Sequence, residues 1–389
     1  MKKISIVCLL LPVFILCACG GGGGNSSAPT TSVILSSSSS VSISSAASSS
    51  DAASSAFSWS SVPALKDLAK FPIGMEVSAA NQERSIFNYP SQLPTIEKHF
   101  NSLVAGVIMK MSFLHPNENE FFYTDADKLN AYAIDHNMLL HGHTLIWHWD
   151  SQIPPWMKKY TGDWSAMLNN HVTQICTHFA GKVSSWDVVN EALDESDPSG
   201  FRQSIFYQRI GKKYIENAFV AARKADPNAV LYYNEYNIES SDTKLNLLLT
   251  MLDDFKSRNI PVDGVGFQMH LDLFNPSIDQ IKRSFKAVAD RGYKIRISEL
   301  DMPVNYNSTL VLSDAVAQQQ KERYKSIVKA YLDSVPESQR TGITFWGLVD
   351  GESWYNFIGL PAKEWPLLFN DDYSPKPAFY GVAEALAGK

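Results

Sequence analysis

The 389-residue chain is 45% apolar and 12% aromatic, long enough for one large domain with appendages or two ordinary domains, with ample material for a core. Its net charge of −6 offers no basic field to neutralise phosphates, which argues against a nucleic-acid partner. Abundant Trp and Tyr suit flat, weakly charged ligands, although most aromatics in any protein are core.

At the amino terminus, Lys2 and Lys3 precede an apolar run from Ile4 to Leu16, the charged-then-apolar layout of an export signal and too short for a comfortable membrane span. The run ends in LCACG, Leu16 to Gly20, which resembles the lipobox of bacterial lipoproteins. That resemblance implies a signal peptide over residues 1–18, cleavage before Cys19 and acylation of Cys19, so that the membrane becomes a partner through a lipid anchor. Gly20 after the cysteine is similar to outer-membrane sorting, on the cell surface or the periplasmic face; an ordinary signal peptide cut nearby is the alternative. Cys8 and Cys17 leave with the signal, so Cys176 remains alone and no intramolecular disulfide forms in the mature chain. Cys176 lies amid Val172, Ile175 and Phe179 at helical spacing and reads as a buried small hydrophobe.

Residues 19–58 follow as a lipidated cysteine and a Gly/Ser-rich linker. Such a segment has too little apolar surface to offset its ordering entropy and leaves no room for a separate binding module. Residues 59–389 are expected to form one domain. Within it, strand signals fall at Pro72–Ser78, Ser102–Met109, Leu139–Ile146, Ser185–Glu191, Val230–Tyr236, Val262–Gln268, Lys294–Asp301 and Gly342–Gly347. Helical stripes lie between them. Thr124 is placed to cap a segment with Leu129, Tyr132 and Ala133. Leu247, Leu248, Met251, Leu252 and Phe255 form one apolar face, Ile278, Ile281, Phe285 and Val288 a second, and a third runs from Val316 to Tyr331. Strands alternating with helices in this way predict an α/β fold, a (β/α)8 TIM barrel, over an open doubly wound sheet. No glycine-rich phosphate loop follows any strand, which weakens nucleotide-dependent alternatives.

The chemistry is sought at strand carboxyl ends, where barrel enzymes keep it. Trp186, Val188 and Val189 lead to Asn190 and Glu191, and Ile295 and Ile297 lead to Glu299. A single strand-end glutamate reads as a surface salt bridge, but two of the same construction on one rim, on the fourth and seventh strands, suggest a paired-carboxylate reaction. His141, Gly142 and His143 form an HxH pair that invites a metal reading, yet the pair sits on the third strand and only His270 follows, so no metal is expected. Asp187 reads as structural support.

WDVVNEALDE, HGHTLIWH, GFQMH, ISELD, FWGLVDGESW and LLFNDDYSPKPAF together resemble, in order, the motifs of glycoside hydrolase family 10, the endo-β-1,4-xylanases, from about Phe71 to the end. The resemblance implies a single catalytic barrel domain that cleaves xylan or xylo-oligosaccharides with retention of configuration and without a cofactor. It makes Glu191 the general acid/base and Glu299 the nucleophile. Asn190 matches a donor to the sugar 2-hydroxyl, His270 a residue touching the nucleophile, and Asp301 a carboxylate orienting that histidine. Lys110, His143, Trp147, Gln152 and Gln268 match positions lining the glycone side, and Trp346 and Trp354 match aromatics around the cleaved bond. A monomer is expected.

The pattern breaks after the second strand, where the family carries a Glu-Asn pair and this chain reads FNSLVAGVIMKM, with Gly106 and Val107 at those positions. Neither supplies the side-chain hydrogen bonds of the pair. Trp149 and Asp150 form an apparent insertion, and Glu76 on the first strand is unexpected. The second glycone subsite is therefore expected to be weakened, or rebuilt by Trp149, Asp150 or Glu76. The alternatives are the same fold with altered specificity, toward mixed-linkage or decorated xylan, short oligosaccharides or aryl glycosides, and a xylan-capturing surface lipoprotein without useful turnover.

Overall fold

The computed structural model describes residues 60–389 apart from residue 83; the signal peptide, Cys19 and the linker lie outside the described residues. Eight parallel strands close in sequence order into a barrel: β1 Ile73–Val77, β2 Ser102–Ala105, β3 Leu139–Trp147, β4 Ser185–Asn190, β5 Val230–Glu235, β6 Gly264–Phe267, β7 Lys294–Leu300 and β8 Arg340–Phe345. The first and last strands pair directly, Met75 opposite Phe345, so the sheet has no free edge. Each strand is buried on both faces, against the barrel interior and against the helical layer, which is why most of them read as continuous apolar runs rather than alternating ones.

The helices arise where the apolar stripes predict them. Asp242–Ser257 begins at Ser241, whose side chain accepts from the Lys244 amide, and Ile278–Ala289 begins with a capping box between Ser277 and Gln280. The third stripe becomes Asp314–Ser334, against which the last helix, Pro377–Leu386, packs. Gly381 allows that approach, because a Cβ there would stand 2.2 Å from the Lys321 carbonyl oxygen. Cys176 is fully buried in the helix Trp164–His178.

Most strand boundaries differ from expectation by one or two residues, and the end of β2 by four. β2 stops at Ala105: the Gly106 amide still donates to Val77, but the Lys110 amide then donates to Val107, closing a turn at the barrel mouth. β8 begins two residues before Gly342, and Thr124 is the first helical residue, with Tyr123 at the cap position and no side-chain cap. Gly142, between the two histidines of β3, is explained by packing: a Cβ there would overlap the Trp186 ring at 2.1 Å.

Candidate active site

Beyond the last residue of β4 the chain turns sharply. The Glu191 amide still donates to the Asn234 carbonyl at 3.0 Å, but the residue takes φ +56, a left-handed backbone uncommon outside glycine. Arg202 braces this turn, donating through Nε to the Glu191 carbonyl (3.0 Å) and through Nη2 to the Tyr236 hydroxyl (2.8 Å). The Glu191 carboxyl thereby meets the Asn190 and Gln268 amides, which donate to its Oε1 at 3.1 and 3.0 Å. His148 Nδ1 lies 3.9 Å from Oε2. Burial, with the charges of Arg202 and Lys244, lowers the His148 pKa to about 3, so that ring is neutral.

Glu299 sits on β7, more deeply buried. His270 lies between it and Asp301, with Nε2 3.3 Å from Glu299 Oε2 and Nδ1 2.8 Å from Asp301 Oδ1. Trp354 Nε1 donates to the other Asp301 oxygen at 2.8 Å. Burial disfavours charge on both His270 and Glu299, but their contacts outweigh it. Asp301 and Glu299 raise the imidazole well above its ordinary value, and the His270 hydrogen bond with the charges of His143 and His270 holds the Glu299 carboxyl below its own. The result is an imidazolium flanked by two carboxylates.

Asn234 at the end of β5 joins the two glutamates. Its Nδ2 donates to Glu299 Oε1 (2.7 Å) and to Asn190 Oδ1 (2.8 Å), while Ser298 donates to its Oδ1 at 2.6 Å and orients the amide. Gly266 leaves room for that amide, since a Cβ there would lie 2.2 Å from Asn234 Oδ1. Asn234, Arg202 and His148 are absent from the residues singled out in the sequence. The signal for Asn234 was present, because VLYYNE repeats the apolar-run-then-polar construction of the fourth strand.

Lys110, His143 and Trp346 stand beside this pair. Lys110, buried beside the mouth, stands 4.7 Å from the Trp147 ring centre, and burial lowers its pKa against the pull of Glu299, Glu76 and Glu191. His143 packs edge-on to Trp346, whose ring centre is 5.3 Å away, and Gln152 accepts a hydrogen bond from Ser112. Asp187 lies beneath, its Oδ2 2.9 Å from both His141 Nε2 and His143 Nδ1. A register shift between Asp187 and Val189 breaks simple alternation along β4, which lets Asn190 as well as Glu191 reach the site.

At the departure from the family pattern, Glu76 lies against Gly106: a Cβ on Gly106 would fall 1.9 Å from Glu76 Oε1. Trp149 stacks on Trp147, ring centres 5.7 Å apart and 18° between planes, and is 44% exposed. The Asp150 carboxylate faces Lys158 at 2.7 Å.

Fold and site together define the class of (β/α)8-barrel glycoside hydrolases. Residues 64–385 match Glycosyl hydrolase family 10, and the chain belongs to that family. The endo-beta-1,4-xylanase Xyn10C of Cellvibrio japonicus is 44% identical over 356 residues, covering 85% of this chain and 58% of the relative. Endo-1,4-beta-xylanase A of the same species is 41% identical over 349 residues, 84% of this chain and 57% of the relative, so the chain spans a little over half the length of both. The endo-1,4-beta-xylanase B of Thermotoga neapolitana is 34% identical and matched over 94% of its length, with 86% of this chain covered. Among solved structures, native xylanase 10C from C. japonicus superposes with a TM-score of 0.81 at 44% identity, covering 84% of this chain and 73% of that one; the same enzyme has been solved as a mutant with xylopentaose.

Proposed function

We propose that the chain is a retaining endo-β-1,4-xylanase, with Glu191 as general acid/base and Glu299 as nucleophile. The observation that carries this reading is the unlike setting of two carboxyls joined through Asn190 and Asn234: Glu299 held ionised by His270, Glu191 held by neutral amides. In the first step an ionised Glu299 oxygen bonds to the anomeric carbon as the glycosidic C–O bond breaks, and Glu191 gives its proton to the departing oxygen. In the second, Glu191 takes a proton from water as the water oxygen attacks the same carbon and releases Glu299. This chemistry needs no cofactor.

Asn190 is assigned the sugar 2-hydroxyl, a contact that strengthens as the oxocarbenium-like transition state forms. Lys110, His143, Trp147, Gln152 and Gln268 line the glycone side, and Trp346 and Trp354 flank the cleaved bond. Gly106 and Val107 mark an atypical second glycone subsite. Altered specificity toward decorated or mixed-linkage xylan, or toward short oligosaccharides, is the second reading, motivated by Gly106 and Val107, which supply no side-chain hydrogen bonds. The leader motif supports an exported lipoprotein, acylated at Cys19 and sorted to the outer membrane as a monomer. Cys19→Ala should then move the protein from the membrane to the soluble fraction.

The deciding experiment is a timed digest of β-1,4-xylan, mixed-linkage xylan and xylo-oligosaccharides, with products separated and their anomeric configuration followed by NMR. Mid-chain cleavage with β-configured products is expected. No new reducing ends from any of these substrates would overturn the proposal.

A further inference from the structure

Glu76 is placed by β1 at the barrel mouth. Gly74, two residues earlier and on the same face of the strand, looks into the interior, where a Cβ would meet Thr344 Oγ1 at 2.7 Å. Glu76 is therefore one layer higher, and it is half-buried between fully buried neighbours. It pairs with Val104, two residues before Gly106. From the place a Gly106 Cβ would occupy, the distances fall from 3.2 Å at Glu76 Cγ to 2.8 Å at Cδ and 1.9 Å at Oε1. The side chain thus runs up the barrel and ends in the volume where any side chain at residue 106 would begin. Gly106 has no left-handed φ, so its backbone tolerates other residues; with the Glu76 carboxyl where it lies, a side chain at residue 106 would occupy the same volume and displace it.

Among the described residues the Glu76 carboxyl makes no hydrogen bond or ion pair, unlike Glu191, Glu299 and Asp301. Charged groups from three other elements face it: Lys110 after β2, Glu299 on β7, and Glu352 after β8, itself paired with Arg84. Burial pushes the Glu76 carboxyl up to about 7 against the pull of Lys110, with Glu352 and Glu299 adding to the rise. Near neutral pH such a group both donates and accepts hydrogen bonds, as a sugar hydroxyl does.

We infer that Glu76 is a substrate-binding residue that has taken over, from the neighbouring strand, the place of a side chain at residue 106, and binds a hydroxyl of the second sugar on the glycone side. The inference rests on the xylanase reading above. It makes Glu76 and Gly106 one exchangeable unit, in which a carboxyl enters the same volume from β1 instead of β2.

The test compares the full-length chain, Glu76→Ala, and the double variant Glu76→Ala with Gly106→Glu on xylotriose, xylotetraose and polymeric xylan. Glu76→Ala should lose about 10-fold in kcat/KM on the short substrates, mainly through KM, with kcat on xylan little changed. The double variant should recover most of that loss. Unchanged kcat/KM on short substrates in Glu76→Ala would overturn the inference while leaving a xylan-cleaving parent intact. So would an equal kcat loss on every substrate that the double variant does not restore. A parent chain that cleaves no xylan would overturn the xylanase reading and the inference together.

Discussion

Asn234 Nδ2 lies 2.7 Å from Glu299 Oε1 and also donates to Asn190 Oδ1, so a single amide on β5 aligns the carboxyl of β7 with the polar end of β4. The bond to Glu299 is charge-assisted and buried, where such bonds are strongest. Asn234→Ala should lower kcat by about 100-fold, with a smaller change in KM. Steady-state kinetics on xylan, alongside a thermal melt to show that the fold persists, would check it; an unchanged kcat would remove Asn234 from the machinery.

The two glutamates should separate by leaving group. Glu299→Ala should reduce turnover by about 10⁴-fold or more, with partial rescue by azide and an α-configured azide product. Glu191→Ala should retain far more activity on aryl glycosides with good leaving groups than on xylan, because those need no proton from the enzyme. Equal losses on both substrates would mean the acid is assigned to the wrong residue.

The His270 bridge sets a pH limit. Glu299 is held below the ordinary glutamate value of 4.5, so its ionised form persists as pH falls and is lost only below that value. A depressed carboxylate likewise favours the folded state above its unfolded pKa, and that contribution is withdrawn as pH falls through the folded one. His270, raised well above 6.5, acts in the opposite sense: its contribution is complete below 6.5 and is lost as pH rises through its folded value. His270→Gln should move the acid limb of kcat/KM upward by about one pH unit. A pH–rate profile with an unmoved limb would show that His270 does not hold Glu299 ionised.

Trp149 extends the ring surface begun by Trp147 while remaining half exposed. Trp149→Ala should weaken binding of longer xylo-oligosaccharides about 3- to 10-fold, the range of one aromatic contact. Its melting temperature should hardly change. Calorimetric titration with xylotriose and xylohexaose would show whether the loss grows with chain length, and no loss on either would exclude a sugar contact.

Much of the barrel was legible because each strand is a compact apolar run buried on both faces, bounded by turn residues, and each helix repeats its apolar positions with its own period. The strand ends were less legible. Ser102–Met109 reads as one run, yet the chain leaves the sheet after Ala105, because Val107–Lys110 close a turn whose apolar side chains pack as well there as in a strand. At the site, Glu191 and Glu299 stood out since each follows an apolar run with a charge that a buried strand would otherwise avoid. Asn234 ends an apolar run in the same way but is an amide, which like the Arg202 guanidinium is common on any surface, and only its partners give either residue a role.

The fold class, the order of the strands and the two strand-end glutamates follow from local periodicity and from motifs written in adjacent residues. The sequence also marks Gly106 as a departure and Glu76 as unexpected. That the two are one contact, that His270 joins Glu299 to Asp301 and that Asn234 links β4 to β7 emerges from the folded arrangement alone. Those relations join residues from different strands, and their separations are set by barrel closure and strand register, which no stretch of neighbouring residues encodes.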